Sequence, residues 1–197
     1  KDDKNVFFDG NQKCGYSDTA RYFIGGVLKH VEAVLAFTSP IVTSYKRIIP
    51  HNWASAFAAY GDANKETAVR IIRGLRGNEE CGFNIEFKPA DGTANPYLAL
   101  NALLLAGFDG IRNKIDPGPE LTVDPAELSA EELRNRGIRK LPVSLGEVID
   151  ALEKSDLFRN EMNPILYSEY LKIKKFDWIK YLRHVTKWEI DNFLTIF

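Results

Sequence analysis

The sequence predicts an α+β domain in which antiparallel strands are backed by helices. Short strand patterns cluster before residue 90, and helical spacings of apolar residues dominate the chain after residue 95. Strands and helices do not alternate as they do in βαβ units. The chain also lacks a GxGxxG or Walker-type loop, so a Rossmann or P-loop fold is not expected.

The composition is that of an ordinary globular protein, with 45% hydrophobic and 27% charged residues. A formal net charge of -1 argues against a nucleic-acid partner. No apolar run is long enough to span a membrane, and no signal-peptide pattern opens the chain. Cys14 and Cys81 have no CxxC spacing, which favours reduced thiols and a cytoplasmic location.

The first third of the chain predicts two turns around a short strand and then a long helix. The opening residues 1–5 are typical of the middle of a hairpin and suggest a chain cut from something longer. Ser17 is a suitable N-cap, and apolar residues spaced by three and four predict a helix from about residue 18 to 37. His30 within this helix is expected to be structural, because it has no metal-ligand partner at i+4.

The next part of the chain predicts strands. Residues 41–53 are irregular and aromatic, and Lys46 and Arg47 stand there between apolar pairs, which an ordinary solvated face explains poorly. Residues 54–60 and 66–72 predict strands joined by a turn at 61–64. A charged loop follows at 74–82.

The strand pattern at 83–88 is the most regular in the chain. Successive side chains of a strand point to opposite faces, so Glu86 and Lys88 share the polar face. The opposite face is apolar and is formed by Phe83, Ile85 and Phe87. Asn95 and Pro96 then form an N-cap and a first helical residue. The helix that they begin is apolar over more than half its circumference, so we expect it to be buried.

The remainder of the chain predicts short helices and one long helix. Residues 116–143 form a connection with one short helix, which the capping box from Ser129 to Glu132 begins. Ser144 begins a helix to about residue 155, Asn163 begins a long one, and Thr186 begins a final turn or two. The residues expected on the buried side of the long helix are Ile165, Leu166, Tyr170, Ile173, Phe176, Trp178, Ile179 and Leu182.

Basic residues surround Glu86 if the predicted strands are neighbours. Arg70 and Lys88 then converge on one surface beside the Glu86 carboxylate. Fixed cations of this kind suit an anionic substrate and a polyphosphate held by a divalent cation. The alternative, a set of independent surface charges, stays open. Glu86 alone cannot hold Mg²⁺ well, because that ion prefers octahedral coordination by several oxygen atoms.

Several segments, in this order, resemble one family. They are the residues at 18–26 (DTARYFIGG), 36–40 (AFTSP), 44–50 (SYKRIIP), 64–70, 85–88 (IEFK), 94–100 (ANPYLAL) and 107–115 (GFDGIRNKI). Over nearly its whole length the chain resembles the C-terminal part of the glutamine synthetase catalytic domain. The resemblance implies part of a curved catalytic sheet in residues 1–115 and a mostly helical part in residues 116–197.

The resemblance also implies an activity. Members of this family are ATP-dependent ligases that join the γ-carboxylate of glutamate to ammonia through γ-glutamyl phosphate, with Mg²⁺ or Mn²⁺. The expected partners are therefore glutamate, ATP and ammonia or another amine. A homo-oligomeric ring of the full-length protein is also expected.

The resemblance assigns roles to five residues. Glu86 matches the metal-binding glutamate, Arg47 the arginine that grips the carboxylate of glutamate, and Arg70 an arginine near the ATP phosphates. Lys65 and Lys88 stand where arginines are usual, and we assign both to substrate binding. Arg47, Arg70 and Lys88 are the expected catalytic cations. Lysine keeps the charge but loses the bidentate fork of arginine.

One departure concerns the acceptor. Trp53 stands where ammonia-using members have a glutamate that helps to bind and deprotonate ammonium, so another amine is a possible acceptor.

Most metal carboxylates of the family are expected before Lys1, and we therefore expect the isolated chain to be inactive. The alternative function is a non-catalytic assembly or regulatory module with the same fold.

Overall fold

The computed structural model describes residues 4–196 and confirms the α+β class. The predicted turn at residues 1–5 lies partly outside the described residues. The helices are α1 (Asp18–Thr38), α2 (Glu79–Gly82), α3 (Pro96–Asn113), α4 (Ala130–Asn135), α5 (Leu145–Lys154), α6 (Asp156–Glu161), α7 (Pro164–Leu182) and α8 (Lys187–Phe193). The strands are β1 (Phe57–Ala58), β2 (Tyr60–Asp62), β3 (Val69–Ile72), β4 (Asn84–Phe87) and β5 (Arg139–Lys140). Two 3-10 helices cover Val42–Lys46 and Pro125–Glu127.

Helix α1 is the centre of the core. Its N-cap is Ser17, whose hydroxyl accepts a hydrogen bond from the Ala20 amide at 3.2 Å, as the sequence predicts. Most of its second half is buried, and it packs along α3. A Cβ added to Gly26 would overlap the backbone of Ala106 and Gly110 in α3, so glycine is needed for the two helices to approach this closely.

Three strands form a mixed sheet in the order β2-β3-β4. Strands β3 and β4 pair antiparallel, with Arg70 opposite Glu86. Strands β2 and β3 pair parallel, which differs from the antiparallel expectation. The reason is the short return at residues 63–68, which brings the chain back to the start of β2 before β3 begins. Strands β1 and β5 form a separate antiparallel pair.

The first predicted strand and the turn after it have different bounds in the structure. Residues 54–60 hold β1 and the start of β2, which continues through Gly61 to Asp62. Gly61 was expected in a turn, but a Cβ there would overlap the Leu121 carbonyl group. Glycine therefore serves close packing inside a strand at this position.

The expected burial of α3 is wrong. The residues of α3 that are buried are small, namely Ala102, Ala106, Gly107 and Gly110, and they face α1. Several large apolar side chains are exposed, namely Tyr97, Leu100, Leu104 and Phe108. The stripe of small residues, which permits close packing, decides which side of this helix is covered.

The expected buried side of α7 is also mostly wrong. Its buried residues are Tyr167 and Leu171, while Tyr170 and Trp178 pack partly buried against the core. Six of the expected residues are exposed: Ile165, Leu166, Ile173, Phe176, Ile179 and Leu182. The helix contacts α5 and α6, and Tyr170 also stacks on Phe37 of α1. The sequence did not predict α6, which follows α5 directly.

Two other expectations concern His30 and the thiols. His30 Nε2 lies 2.7 Å from Asp109 Oδ2 between α1 and α3, which suits the expected structural role. Cys14 and Cys81 are both free thiols. Among the described helices, none is both long enough and apolar enough to cross a lipid bilayer.

Candidate active site

The pairing of β3 with β4 brings Arg70 to Glu86. The Arg70 Nε atom lies 2.7 Å from Glu86 Oε2 across the strand pair. Lys88 lies two residues after Glu86 on the same face, and its Nζ atom is 3.9 Å from Glu86 Oε1. The Glu86 carboxylate is thus flanked by two cations. We call Arg70, Glu86 and Lys88 together the Glu86 cluster.

Hydrogen bonding within the Glu86 cluster is incomplete. Arg70 Nε and Glu86 Oε2 are both shielded from solvent, yet neither makes a hydrogen bond to another atom of the described chain. Because the two atoms are only 2.7 Å apart and still form no hydrogen bond, the Nε–H group does not point at the oxygen, and the contact is an ion pair. Buried polar atoms without hydrogen bonds are energetically costly. A ligand can therefore offer an acceptor to the Arg70 Nε–H group and a donor or a cation to Glu86 Oε2.

Arg47 reaches the same end of β4. It follows the 3-10 helix at Val42–Lys46, and its guanidinium donates a hydrogen bond to the carbonyl oxygen of Pro89, next to Lys88. Ser39 Oγ donates to the same carbonyl oxygen at 2.8 Å. The loop that carries Arg47 is therefore attached to the residue that follows Lys88, although no hydrogen bond or ion pair joins Arg47 to Glu86 among the residues described.

Asp91 is a neighbour of Arg47 that the sequence analysis missed. Its Oδ2 atom lies 3.9 Å from Arg47 Nη2, and its Oδ1 atom accepts a hydrogen bond from the Thr93 amide at 2.9 Å. Burial favours the neutral form of Asp91, but hydrogen bonds such as those from Thr93, together with the charge of Arg47, outweigh this effect and lower the pKa of the carboxyl group. The sequence does contain a signal for this contact, because Asp-Gly-Thr at 91–93 is typical of a turn in which the Asp side chain binds the backbone two residues on.

Lys65 makes no ion pair with the Glu86 cluster within the described part of the chain, and its side chain contacts Trp53 instead. Its ammonium group stands 5.0 Å from the centre of the Trp53 ring, at a distance suited to a cation–π interaction. Trp53 is 67% exposed and has a left-handed backbone with φ of 52°. Asn52 Nδ2 donates a hydrogen bond to the Arg47 carbonyl oxygen at 2.9 Å, and this bond closes the loop that carries both Arg47 and Trp53.

The residues present fit one ligand of a metal ion but not a complete site. Within residues 4–196, Glu86 belongs to no group of three His, Cys, Asp or Glu side chains close enough to share an ion. Its immediate charged neighbours are cations. Glu86 can supply one oxygen ligand to Mg²⁺ or Mn²⁺, and phosphates, waters or residues outside the described chain have to supply the others.

Comparison with known proteins gives the family. The model of the glutamine synthetase catalytic domain matches residues 1–193. The glutamine synthetase of Methanosarcina mazei is 39% identical over 196 residues, which are 100% of this chain and 43% of that protein. The glutamine synthetase of Streptomyces coelicolor is 44% identical over 153 residues, 78% of this chain and 32% of that protein.

Solved structures give the same result. A complex of GmaS with ADP has a TM-score of 0.79 and 30% identity, over 95% of this chain and 42% of that one. GmaS without ligand has a TM-score of 0.78 and 32% identity, over 96% of this chain and 41% of that one. The chain spans less than half the length of these relatives. It therefore belongs to the glutamine synthetase family, as the C-terminal part of its catalytic domain.

Proposed function

We propose that this chain forms part of the active site of an ATP-dependent ligase that joins the γ-carboxylate of glutamate to ammonia or another amine. The observation that supports this most is the Glu86 cluster, in which a carboxylate and two cations meet with unused hydrogen-bonding capacity. In the proposed reaction, a γ-carboxylate oxygen attacks the terminal phosphorus of ATP and releases ADP. The amine then attacks the acyl carbon, phosphate leaves, and the nitrogen loses a proton.

The cations of the chain have distinct roles in this proposal. Arg70 binds the ATP phosphates and neutralises the charge that develops during phosphoryl transfer. In the same proposal, Lys88 binds an oxygen of the activated γ-carboxyl group or of the departing phosphate. Arg47 grips the carboxylate of glutamate, and Asp91 with Pro89 holds its guanidinium in position.

The structure supports an exchange of partners at Arg70 when ATP binds. Arg70 faces the Glu86 carboxylate at 2.7 Å but makes no aligned hydrogen bond to it. The oxygens of a phosphate group can accept better aligned hydrogen bonds from the guanidinium. Mg²⁺ or Mn²⁺, when bound, supplies further positive charge at the phosphates and takes Glu86 as one ligand.

The proposal includes residues outside this chain. A single carboxylate does not complete a metal site, so other parts of the full-length protein, or of a neighbouring subunit in a ring, supply the remaining ligands. We accordingly expect the 197-residue chain alone to show no glutamate-dependent ATP turnover. Turnover by the isolated chain would contradict this part of the proposal. The cytoplasmic location that the two cysteines suggest stays a prediction.

The acceptor amine is tested separately. Trp53 is 67% exposed, so its aromatic surface can contact the alkyl part of an amine acceptor. Rates of product formation with ammonium and with a short primary alkylamine, in wild type and in Trp53→Glu, compare the two acceptors. We expect Trp53→Glu to lower the rate with the alkylamine more than the rate with ammonium. Equal decreases in the two rates would exclude a role for Trp53 in acceptor choice.

The main test is Glu86→Ala in the full-length protein, with glutamate-dependent release of phosphate from ATP as the readout. We expect a loss of about 100-fold or more, since one stabilising group is removed from a charged transition state. Lys88→Arg keeps the charge and is expected to be tolerated. Glu131→Ala, at an exposed position on α4, is the matched control. Near-normal turnover of Glu86→Ala would refute the assignment, and failure of the wild type to bind ATP and glutamate would favour the non-catalytic module.

A further inference from the structure

A second group of ligand-type side chains lies outside the Glu86 cluster. His51 Nδ1 is 3.2 Å from Asp124 Oδ2, and Glu127 completes the group. One ligand atom from each of the three residues lies within 4.8 Å of the other two. The three side chains come from two separate segments, the loop after Arg47 and the 3-10 helix at Pro125–Glu127.

We propose that His51, Asp124 and Glu127 bind a divalent transition-metal ion of the Zn²⁺ type. Zn²⁺ takes imidazole nitrogen and carboxylate oxygen at about 2.0–2.2 Å, often with three protein ligands and a water. Ligand atoms around such an ion are roughly 3.3 Å apart. The observed spacing therefore needs only small side-chain adjustments. The imidazole ligand favours Zn²⁺ over Mg²⁺, which prefers oxygen ligands alone.

Charge also supports an ion at this position. An ordinary ion pair between protonated His51 and Asp124 needs only one carboxylate. Glu127 brings a second negative charge within the same radius, and two adjacent carboxylates repel each other unless a cation lies between them. With neutral His51, a divalent ion balances the two carboxylates.

Asp124 is held in place for this role. Its Oδ1 atom accepts a hydrogen bond from the Ala126 amide at 2.8 Å, as the N-cap of the 3-10 helix. Its Oδ2 atom is left to face His51. A hydrogen bond to one carboxylate oxygen fixes the orientation of the other, as partners of metal ligands commonly do. The side chains of His51 and Asp124 are 61% and 24% exposed, so an ion can reach them from solvent.

The consequence is a link between two segments. A bound ion fastens the loop of residues 47–53 to the 3-10 helix at Pro125–Glu127. That loop also holds Arg47 and Trp53. The three ligands include no residue of the Glu86 cluster, so the binding of the ion can be tested whether or not the proposed ligase activity is correct.

The test is titration of the metal-free full-length protein with ZnCl₂ in excess Mg²⁺, which keeps sites made of oxygen ligands occupied. The variants are His51→Ala, Asp124→Asn and Glu127→Gln, and isothermal titration counts the Zn²⁺ bound. Asparagine also serves as an N-cap, so Asp124→Asn preserves the local fold. We expect each variant to bind Zn²⁺ at least about tenfold more weakly than the wild type.

Two controls distinguish this site from others. His184→Ala removes an exposed histidine elsewhere, and Glu86→Ala removes the expected ligand of the active-site metal; both are expected to bind Zn²⁺ here as the wild type does. Substitution with CoCl₂ gives a strong visible absorption band if the ion is bound with tetrahedral coordination, and loss of one ligand in His51→Ala is expected to weaken this band markedly. Absence of Zn²⁺ binding by the wild type, or unchanged binding by the three variants, would overturn the proposal. If His51→Ala does not fold, the two carboxylate variants decide the outcome.

Discussion

Replacing Glu86 with glutamine distinguishes a structural role for this residue from a functional one. Glutamine has nearly the same shape but removes the charge and one good acceptor. If the Glu86 cluster serves binding and catalysis, the variant should lose activity while the free energy of unfolding changes little. If the ion pair with Arg70 holds the sheet together, stability should fall as well.

The structure gives a magnitude for each effect. The side chains of Arg70 and Glu86 are 21% and 38% exposed, and their closest atoms are poorly aligned for a hydrogen bond. Partly exposed pairs of this kind contribute about 0–1 kcal/mol. We therefore expect the free energy of unfolding to fall by no more than about 1 kcal/mol. A 100-fold loss of turnover would correspond to about 2.7 kcal/mol of transition-state stabilisation.

Two assays on the full-length protein measure these effects, namely urea denaturation and glutamate-dependent ATP turnover. Asp62→Asn is the matched control, because Asp62 pairs with Arg73 Nε at 2.5 Å in the same sheet, outside the Glu86 cluster. We expect this control to change stability as little as Glu86→Gln does and to keep its activity. A stability loss above about 3 kcal/mol in Glu86→Gln, in the range for breaking a buried pair, would refute the reasoning.

Two further predictions concern the fold. Gly26→Ala should lower the free energy of unfolding by about 1–3 kcal/mol, because its Cβ would overlap α3 backbone atoms, whereas Gly92→Ala, with open space around it, should change little. Equal urea midpoints for the two variants would contradict this. Burial lowers the pKa of His30 below its ordinary 6.5 and outweighs the hydrogen bond to Asp109, so the unfolded chain binds the proton more readily. Stability should therefore fall as the pH drops below about 6.5, and His30→Gln should flatten this part of the curve in urea titrations at several pH values.

Local chemistry made the helix starts predictable. Ser17, Asn95 and Thr186 each accept backbone hydrogen bonds at the N-terminus of a helix, as the sequence predicts. An N-cap depends on a few adjacent residues, so its pattern can be recognised without knowledge of the fold. The capping box at Ser129 is confirmed for the same reason.

The buried sides of α3 and α7 could not be predicted, because both helices carry apolar residues on several sides. In α3 the contact with α1 goes to small residues such as Ala106 and Gly110, which permit close approach of the backbones. Large side chains such as Phe108 remain exposed. Hydrophobic periodicity shows which positions are apolar but not which of them face a neighbouring element.

The candidate site was predictable in part. Strand alternation alone placed Lys88 beside Glu86, and the assumption that the strands are neighbours added Arg70, which the observed register bears out. The contact of Lys65 with Trp53 depends on the conformations of two loops, and strand patterns hold no information on it.

The central claim is that the Glu86 cluster forms part of an ATP site, and isothermal titration of the full-length protein with Mg²⁺–ATP tests it most directly. The account predicts that the wild type binds, that Arg70→Gln binds about tenfold more weakly, and that Arg112→Gln, which removes an exposed arginine paired with Glu161, binds as the wild type does. Binding by Arg70→Gln as tight as that of the wild type would contradict the claim.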